Sequence, residues 1–331
     1  MSSNSFGSNK PRFSVIIPLY NKEAEIEATL RSVLAQTLLP EEIVVVDDGS
    51  TDRSAEVVER LGSPLVRLVR QANGGECAAR NRAMSEAVGD YFALIDADDC
   101  WKPDMLAEVA KMIEQWPDCG IYSTAFDIVS PTGRVAAKCP TERGVIENFW
   151  HLSMTHYVTI PSATVLARRV VEELGGFPEG MKMGGDQYMW IKVASRYDVC
   201  FSPYRGCDYS MVASNRSSAI YTPEKTAYRL EDFLDLPEGG PNQRRKAHLD
   251  DMNGYWRREF IAKCAIGKAL TLTAKGDGDF GHRVVRNFGY TREYRRGLRK
   301  LQALLCLPRC VRGWVHSFYN RMAWLLAHKG L

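Results

Sequence analysis

The chain has 331 residues, of which 45% are hydrophobic and 25% are charged. This composition is typical of a globular protein with a sizeable core, and it excludes a low-complexity or largely disordered chain. The longest apolar runs, at 301–307 and 323–327, are far shorter than the roughly 20 residues of a membrane-spanning helix. Residues 1–11 have no apolar stretch of the signal-peptide kind, so we expect a disordered lead-in segment there.

The net charge of +3 is unevenly distributed. Residues 283–329 contain eleven Lys or Arg and one acid, a local charge of +10, which leaves −7 on the rest of the chain. This asymmetry indicates either an anionic partner or a solvated basic face. Nucleic acid is not the expected partner, because the body is acidic and no nucleic-acid-binding module is recognisable. The nine cysteines are scattered without a C-x-x-C pair, which favours reduced thiols and a cytoplasmic location.

Strand and helix signals alternate through the first 115 residues. Short apolar runs predict buried strands, and residues with helical spacing predict helices between them. Repeated units of this kind are typical of an α/β fold with a mostly parallel sheet and helices on both faces. The predicted strands are 13–20, 42–47, 63–71 and 91–96, and the predicted helices are 21–36, 53–61, 76–88 and 104–115.

The pattern is looser beyond this point. Strands are predicted at 120–129, 164–167 and 198–204, with helices at 168–174 and 184–197. From about residue 216 the sequence has only helical periodicity, which is broken at Pro237, Gly276–Gly281 and Pro308. We therefore predict an α/β domain over 12–215 and a basic helical region over 216–331.

Two acidic clusters lie at the ends of predicted strands. Asp47 and Asp48 lie at the end of the second strand, and Asp96, Asp98 and Asp99 lie at the end of the fourth. Because ligands of such sheets bind beyond the carboxyl ends of the strands, both clusters should line the same edge. Crowded carboxylates need a cation or hydrogen-bond donors, and Mg²⁺ or Mn²⁺ shared with phosphates suits such a site. The alternative is that these are only turn residues.

The sequence lacks the common phosphate-binding motifs after its first strand. Neither a Walker loop nor G-x-G-x-x-G follows the first strand, so a dinucleotide site of the common type is not expected. Arg80 lies near the start of a helix that follows a glycine loop, where its charge and nearby N–H groups could face an anion. The alternative for Arg80 is an ordinary surface position.

Several segments together resemble the family 2 glycosyltransferases of the GT-A fold. They are "SVIIPLYNKEAEIEATLRSVLAQ", "EIVVVDDGSTDRS", "GGECAARNRAMSEAVGDYFALIDADD" and "WKPDML", in the order and spacing of that family. The resemblance covers roughly residues 12–110 and continues more weakly to about 205. It implies a metal-dependent inverting enzyme that moves a sugar from a nucleotide-sugar donor, most often a UDP- or dTDP-sugar. The acceptor would be a hydroxyl of a saccharide, a lipid-linked molecule or a protein.

The resemblance also assigns a nucleotide-binding group. Pro18 and Tyr20 would pack against the base, and Asp48 would accept a hydrogen bond from its ring N–H. Arg80 would contact the nucleotide, and Asp96 would lie on the ribose side.

Further roles concern the metal and the diphosphate. Asp98 would be the main ligand of Mg²⁺ or Mn²⁺, and Asp99 would be a supporting metal ligand. Trp101 and Arg205 are candidates for contacts with the diphosphate or the acceptor. A histidine that the family often carries near Arg205 is missing here.

The resemblance makes Asp186 the general base, at the start of a helix that favours its charged form. The family has an acid before this residue, whereas this chain has Gly185. Asp186 could instead be a plain helix cap. The departure at Gly185 leaves open a nucleotide-sugar-binding protein without catalysis. A nucleotidyltransferase is a further rival, although "PLYNKEAE" is not the glycine-rich basic loop that such an enzyme would normally have.

The basic helices near the C-terminus interleave arginines with apolar residues. Such helices suit an anionic membrane surface, where a lipid-linked acceptor would be found. The alternative is that they pack on the α/β domain or on a second copy of the chain.

Overall fold

The computed structural model describes residues 10–181, 184–212, 250–275, 278–308, 311–313 and 315–317. The strands are β1 (Phe13–Leu19), β2 (Glu42–Asp47), β3 (Val66–Arg70), β4 (Tyr91–Leu94), β5 (Cys100–Trp101), β6 (Ile121–Ser130), β7 (Gly133–Ala136), β8 (Gly144–Val145), β9 (Thr164–Ala167) and β10 (Val199–Ser210). The α-helices are α1 (Ile26–Leu34), α2 (Ser54–Leu61), α3 (Glu76–Glu86), α4 (Met105–Gln115), α5 (Phe149–Ser153), α6 (Arg168–Leu174), α7 (Gly185–Ala194), α8 (Asp250–Ala274), α9 (Gly278–Phe288) and α10 (Arg295–Leu305).

One mixed sheet organises the chain, in the order β3-β2-β1-β4-β9-β6-β10-β5. Strands β3, β2, β1 and β4 are parallel neighbours, and β6 and β10 are parallel to each other. Strand β9 is antiparallel to both β4 and β6, so it joins two parallel sets that run in the same direction. The mostly parallel α/β sheet predicted from the sequence is confirmed. The antiparallel insertion of β9 was not predicted.

Alternate residues of the central strands enter two separate hydrophobic clusters. Ile16 of β1 belongs to one cluster, whereas Val15 and Ile17 belong to the other. Because side chains alternate across a strand, the two clusters lie on opposite faces of the sheet. Helices α1, α2 and α4 cover one face, and α3, α7 and the C-terminal helices cover the other. The predicted helix layers on both faces are therefore present.

The C-terminal helices share the core of the α/β domain. Ile261 and Ala265 of α8 lie in the same buried cluster as Phe149 and Trp150 of α5. Helices α9 and α10 pack in turn against α8. The described part of this region thus packs on the α/β domain. None of the described helices is both long and apolar enough to span a membrane.

A polar contact reinforces this packing. The Lys263 ammonium donates to the carbonyl oxygens of Ser153, at 2.7 Å, and Met154, at 2.9 Å. Most of the predicted lead-in segment lies outside the described residues, as do the predicted boundary near residue 215 and most of the helix predicted after Pro308.

Candidate active site

The carboxyl ends of β1, β2 and β4 open onto one cleft of about 550 Å³. Its walls come from the loop before α3, from the segment before α7, from the end of β10 and from α8. Seven of the ten residues that the sequence singled out line this cleft: Pro18, Tyr20, Asp48, Arg80, Asp96, Asp98 and Asp186. They come from five separate stretches of chain that the fold brings together.

Arg80 and Asp96 form an ion pair in the cleft. Arg80 is 1% exposed, and its guanidinium lies 2.5 Å from the Asp96 carboxylate. Glu76, one turn earlier on α3, pairs with the same group. Burial raises the pKa of Asp96 to about 7, with Arg80 opposing the shift and Glu76 adding to it. The Arg80 Nε has no hydrogen-bond partner in the described part of the chain.

Asp98 and Asp99, the other two acids of this cluster, each accept hydrogen bonds from donors of their own. Asp98 accepts from the Lys22 ammonium at 2.7 Å inside the cleft. Asp99 is buried, where it accepts from the Ser210 backbone N–H at 2.6 Å and from the Ser162 hydroxyl. Burial raises the pKa of Asp99 well above its ordinary value. The crowded carboxylates are tolerated because each one has its own partners.

Asp48 organises the glycine loop that enters α3. Its two carboxylate oxygens accept from the Gln71 amide at 2.7 Å and from the backbone N–H groups of Gly74 and Gly75, both at 2.8 Å. Since a carboxylate offers about four lone-pair positions, these three donors leave one for a ligand. Gly75 has φ of 90°, a conformation that favours glycine.

Pro18 and Tyr20 flank the end of β1 at the mouth of the cleft. The Tyr20 side chain is 43% exposed, so one side of it is accessible to a ligand. A half-exposed aromatic ring near a half-buried proline suits a flat, partly apolar group such as a nucleobase.

Asp186 lies in the first turn of α7, as the sequence predicted. Its carboxylate is half-buried at the cleft wall, and no described residue donates a hydrogen bond to it. The preceding Gly184 has φ of 87°, which turns the chain into the helix. A carboxylate held at a helix start with accepting capacity to spare can take a proton from a bound hydroxyl.

Asn81 connects the α3 motif to the turn that precedes α7, a role that the sequence reasoning missed. Its amide oxygen accepts from the Phe177 N–H at 2.7 Å, and its amide nitrogen donates to the Phe177 carbonyl at 2.9 Å. A Cβ on Gly176 would lie 2.2 Å from the Asn81 oxygen, so this approach requires glycine. The available sequence signals were Asn81 in the segment "GGECAARNRAMSEAVGDYFALIDADD" and the paired glycines Gly175 and Gly176 before Phe177.

Trp101 and Arg205 do not line the cleft. Trp101 is buried in the core, and its indole N–H donates to the Ser162 carbonyl at 2.7 Å. The Arg205 guanidinium donates to the Phe126 carbonyl at 2.6 Å and to the Asp127 carboxylate at 3.0 Å. Both side chains serve structural contacts, as does Asp99.

The cleft also contains residues that the sequence reasoning did not single out. Lys268 and Thr271 of α8 reach its wall, and Lys22 and Tyr209 contribute from other segments. Lys268 is half-buried and forms no hydrogen bond or ion pair with a described residue. No local sequence signal could have found it, because its position depends on how α8 packs on the domain.

The carboxylates of the cleft are the residues that could hold a divalent cation. Within the described ranges, no three or more His, Cys, Asp or Glu side chains form a complete metal-binding group. Mg²⁺ and Mn²⁺ are commonly held by one or two carboxylates together with substrate phosphates and water. Asp98 already holds a cation, the Lys22 ammonium, so its oxygen donors fit a shared site of this kind.

The cleft and its motifs can be compared with known proteins. A model of glycosyl transferase family 2 matches residues 14–174. The uncharacterized glycosyltransferase EpsJ of Bacillus subtilis is 33% identical over 156 residues, 45% of this chain and 45% of EpsJ. The uncharacterized glycosyltransferase YibD of Escherichia coli is 42% identical over 135 residues, 40% of this chain and 39% of YibD. This chain therefore matches less than half the length of these relatives.

The likeness to solved structures extends further along the chain. S. aureus TarS 1–349 in complex with UDP-GlcNAc superposes with a TM-score of 0.65 at 20% identity, covering 89% of this chain and 90% of that one. At this identity the likeness concerns the fold, and it includes helices beyond the family match. The motifs, the sheet with its cleft and the family match agree: residues 14–174 are similar to glycosyl transferase family 2.

Proposed function

We propose that the protein is an inverting glycosyltransferase that moves a sugar from a nucleotide-sugar donor to an acceptor hydroxyl. One observation carries the proposal. The cleft that contains Asp48, Arg80 and Asp98 also contains Asp186, a carboxylate to which no described residue donates a hydrogen bond. The first three suit a nucleoside diphosphate, and the fourth suits the acceptor.

The reaction would be a single displacement. The Asp186 carboxylate accepts the proton of the acceptor hydroxyl while the hydroxyl oxygen forms a bond to C1 of the sugar. The C1–oxygen bond to the diphosphate breaks on the opposite face, and the electron pair leaves with the nucleoside diphosphate. Arg80 contributes a buried positive charge on the nucleotide side of the cleft.

Asp98 would hold the metal, with the donor phosphates completing the coordination. Mg²⁺ or Mn²⁺, when bound there, supplies electrostatic stabilisation of the diphosphate leaving group. Asp99, which the resemblance made a second ligand, accepts from Ser162 and Ser210 instead. This arrangement favours Asp98 over Asp99 as the metal ligand.

The donor is proposed to be a UDP- or dTDP-sugar. The remaining acceptor position on Asp48 suits the ring N–H that uracil and thymine share, and Tyr20 supplies a ring for the base. The solved TarS structure with UDP-GlcNAc supports this class of donor.

We further propose a saccharide or lipid-linked acceptor and a location at the cytoplasmic face of a membrane. Helices α9 and α10 bury apolar residues against α8 and expose arginines, among them Arg283, Arg295 and Arg299. The protein should bind vesicles that contain phosphatidylglycerol and detach at high salt. Charge reversal at Arg295 and Arg299 should weaken this binding more than reversal at Lys111 on α4. Equal effects would argue against these helices as the contact.

The central experiment measures sugar transfer and donor hydrolysis with UDP-, dTDP- and GDP-sugars in the presence of Mn²⁺. It compares the wild type with Asp186→Asn and Asp98→Asn, and with Asp118→Asn as an exposed control outside the cleft. We expect turnover to fall by about a hundredfold or more in the first two variants and to persist in the control. Asp186→Asn should still bind nucleoside diphosphate.

The same experiment separates transfer from binding alone. A nucleotide-sugar-binding protein without catalysis would bind the donor but show no turnover with any acceptor. Turnover that survives Asp186→Asn would overturn the assignment of the base.

A further inference from the structure

Lys22 and Asp98 form an ion pair inside the cleft. The Lys22 ammonium lies 2.7 Å from the Asp98 carboxylate, and the two side chains are only 12% and 15% exposed. Both residues line the cleft. The ammonium therefore contacts the same carboxylate that is proposed to hold a divalent cation.

The backbone around Lys22 is fixed by the loop that follows β2 and by the first residue of α2. The Lys22 N–H donates to the Ser54 hydroxyl oxygen at 2.7 Å, and the Asn21 N–H donates to that of Ser50 at 3.0 Å. The Asn21 side chain accepts in turn from the Thr51 N–H at 2.8 Å.

Asn21 itself has an unusual conformation. Its φ of 51° makes it the one non-glycine residue with positive φ in the described part of the chain. Asparagine tolerates this region better than most residues, but such a conformation persists only where its surroundings hold it. The loop thus determines where the Lys22 side chain starts, and from there it reaches Asp98.

We propose that Lys22 is the resident cation of Asp98 in the nucleotide-free protein and competes there with the divalent metal. The inference rests on the proposed function for the assignment of Asp98 as metal ligand. An ammonium and a divalent cation cannot both contact one partly buried carboxylate without strong repulsion. Metal binding therefore requires Lys22 to leave Asp98.

The competition makes metal binding depend on the nucleotide. A metal ion without nucleotide forms a contact with one carboxylate but breaks the ion pair of that carboxylate with Lys22. The net free energy of metal binding is therefore small. A diphosphate adds oxygen ligands for the metal and an anionic partner for the displaced Lys22. The free protein should bind metal weakly, and the nucleoside diphosphate should strengthen that binding.

The test measures Mn²⁺ binding without nucleotide, by the loss of the free Mn²⁺ signal in electron paramagnetic resonance. The variant is Lys22→Met, which keeps the length and apolar stem of the side chain without its charge. A matched control is Lys102→Met, because Lys102 pairs with Asp208 at the same 2.7 Å outside the cleft. Asp98→Asn in the Lys22→Met background reports whether the bound Mn²⁺ uses Asp98.

Lys22→Met should bind Mn²⁺ about tenfold more tightly than the wild type, with Lys102→Met unchanged. Added Mn²⁺ should also raise the melting temperature of Lys22→Met more than that of the wild type, since it neutralises the unpaired Asp98. Equal or weaker Mn²⁺ binding in Lys22→Met, or tighter binding that survives Asp98→Asn, would overturn the proposal. Neither readout needs turnover, so a failed transfer assay would leave this result independent.

Discussion

Cys77 occupies the space that a side chain at Gly185 would need. A Cβ built on Gly185 lies 2.2 Å from the Cys77 sulfur, which is itself buried in the cleft wall. The acid that the family resemblance leads one to expect at this position could not be accommodated beside Cys77 in its present place. Gly185 is thus matched to a neighbour on α3, and Asp186 keeps its place in the first turn of α7.

This pairing predicts a dependence between two substitutions. Gly185→Ala should lower the free energy of unfolding by about 1–3 kcal/mol, because the new methyl group overlaps the Cys77 sulfur. In a Cys77→Ala background the same change should be neutral or stabilising, since alanine favours a helix over glycine. Urea unfolding of the wild type, both single variants and the double variant measures this coupling. The same cost in both backgrounds would contradict the pairing.

Asp48 should matter for both the loop and the nucleotide. Asp48→Asn replaces one acceptor oxygen with a donor, so at least one N–H of Gly74, Gly75 or the Gln71 amide loses its partner. We expect a loss of about 1–3 kcal/mol in stability and about tenfold weaker binding of UDP. Calorimetric titration with UDP checks this, with Asp47→Asn as the neighbouring control that does not line the cleft. Equal losses of UDP affinity in both variants would argue against a specific role for Asp48.

Lys268 tests whether α8 belongs to the working site. Because it forms no ion pair or hydrogen bond with a described residue, Lys268→Gln should leave the melting temperature nearly unchanged. The loss of the Lys268 charge should weaken the interaction with an anionic substrate, so kcat/KM should fall about tenfold. Steady-state kinetics measure this effect, with the exposed Lys300→Gln on α10 as control. Unchanged kinetics for Lys268→Gln would place α8 outside the site.

Glu42 provides a prediction about pH. Burial alone would raise the pKa of Glu42, but hydrogen bonds from the Ser14 hydroxyl, the Val88 N–H and the Arg67 guanidinium outweigh burial and hold that pKa below its ordinary 4.5. The stability that Glu42 contributes is therefore present above pH 4.5 and lost as the pH falls through the lowered pKa.

Glu42→Gln should accordingly destabilise the protein at pH 7 by about 1–3 kcal/mol. The difference from the wild type should shrink as the pH falls below 4.5. Urea unfolding across this range gives the comparison, and Glu27→Gln, in an exposed pair with Arg31, should have little effect at any pH. A difference that does not vary with pH would show that charge is not the cause.

The sequence was most informative where structure follows from a local pattern. Strands β1 and β2 were predicted from their short apolar runs. Helix α1 was predicted from the helical spacing of Ile26, Leu30 and Val33, all of which are buried. The position of Asp186 at a helix start was predicted for the same reason. Such features depend on residues only a few positions apart, so their pattern is visible in the sequence.

Contacts between distant segments were harder to predict. Asp99 was predicted as a supporting metal ligand, and its hydrogen-bond donors Ser162 and Ser210 could not be read from the chain because they lie 63 and 111 positions away. Trp101 was expected at the cleft wall because it is adjacent to the acids, but its alternation along β5 directs it into the core. Adjacency in the chain does not determine the direction of a side chain.

The sequence by itself determined the family resemblance, the order of the strands and helices to the end of α4 except for the short strand β5, and the acids that gather at one edge of the sheet. Only the tertiary structure decided which partner each acid has, that Gly185 is matched by Cys77, and that α8 brings Lys268 to the cleft. The physical reason is that periodic burial is encoded over a few residues. The neutralisation of a buried charge depends instead on whichever donor the packing of distant segments brings within hydrogen-bond distance.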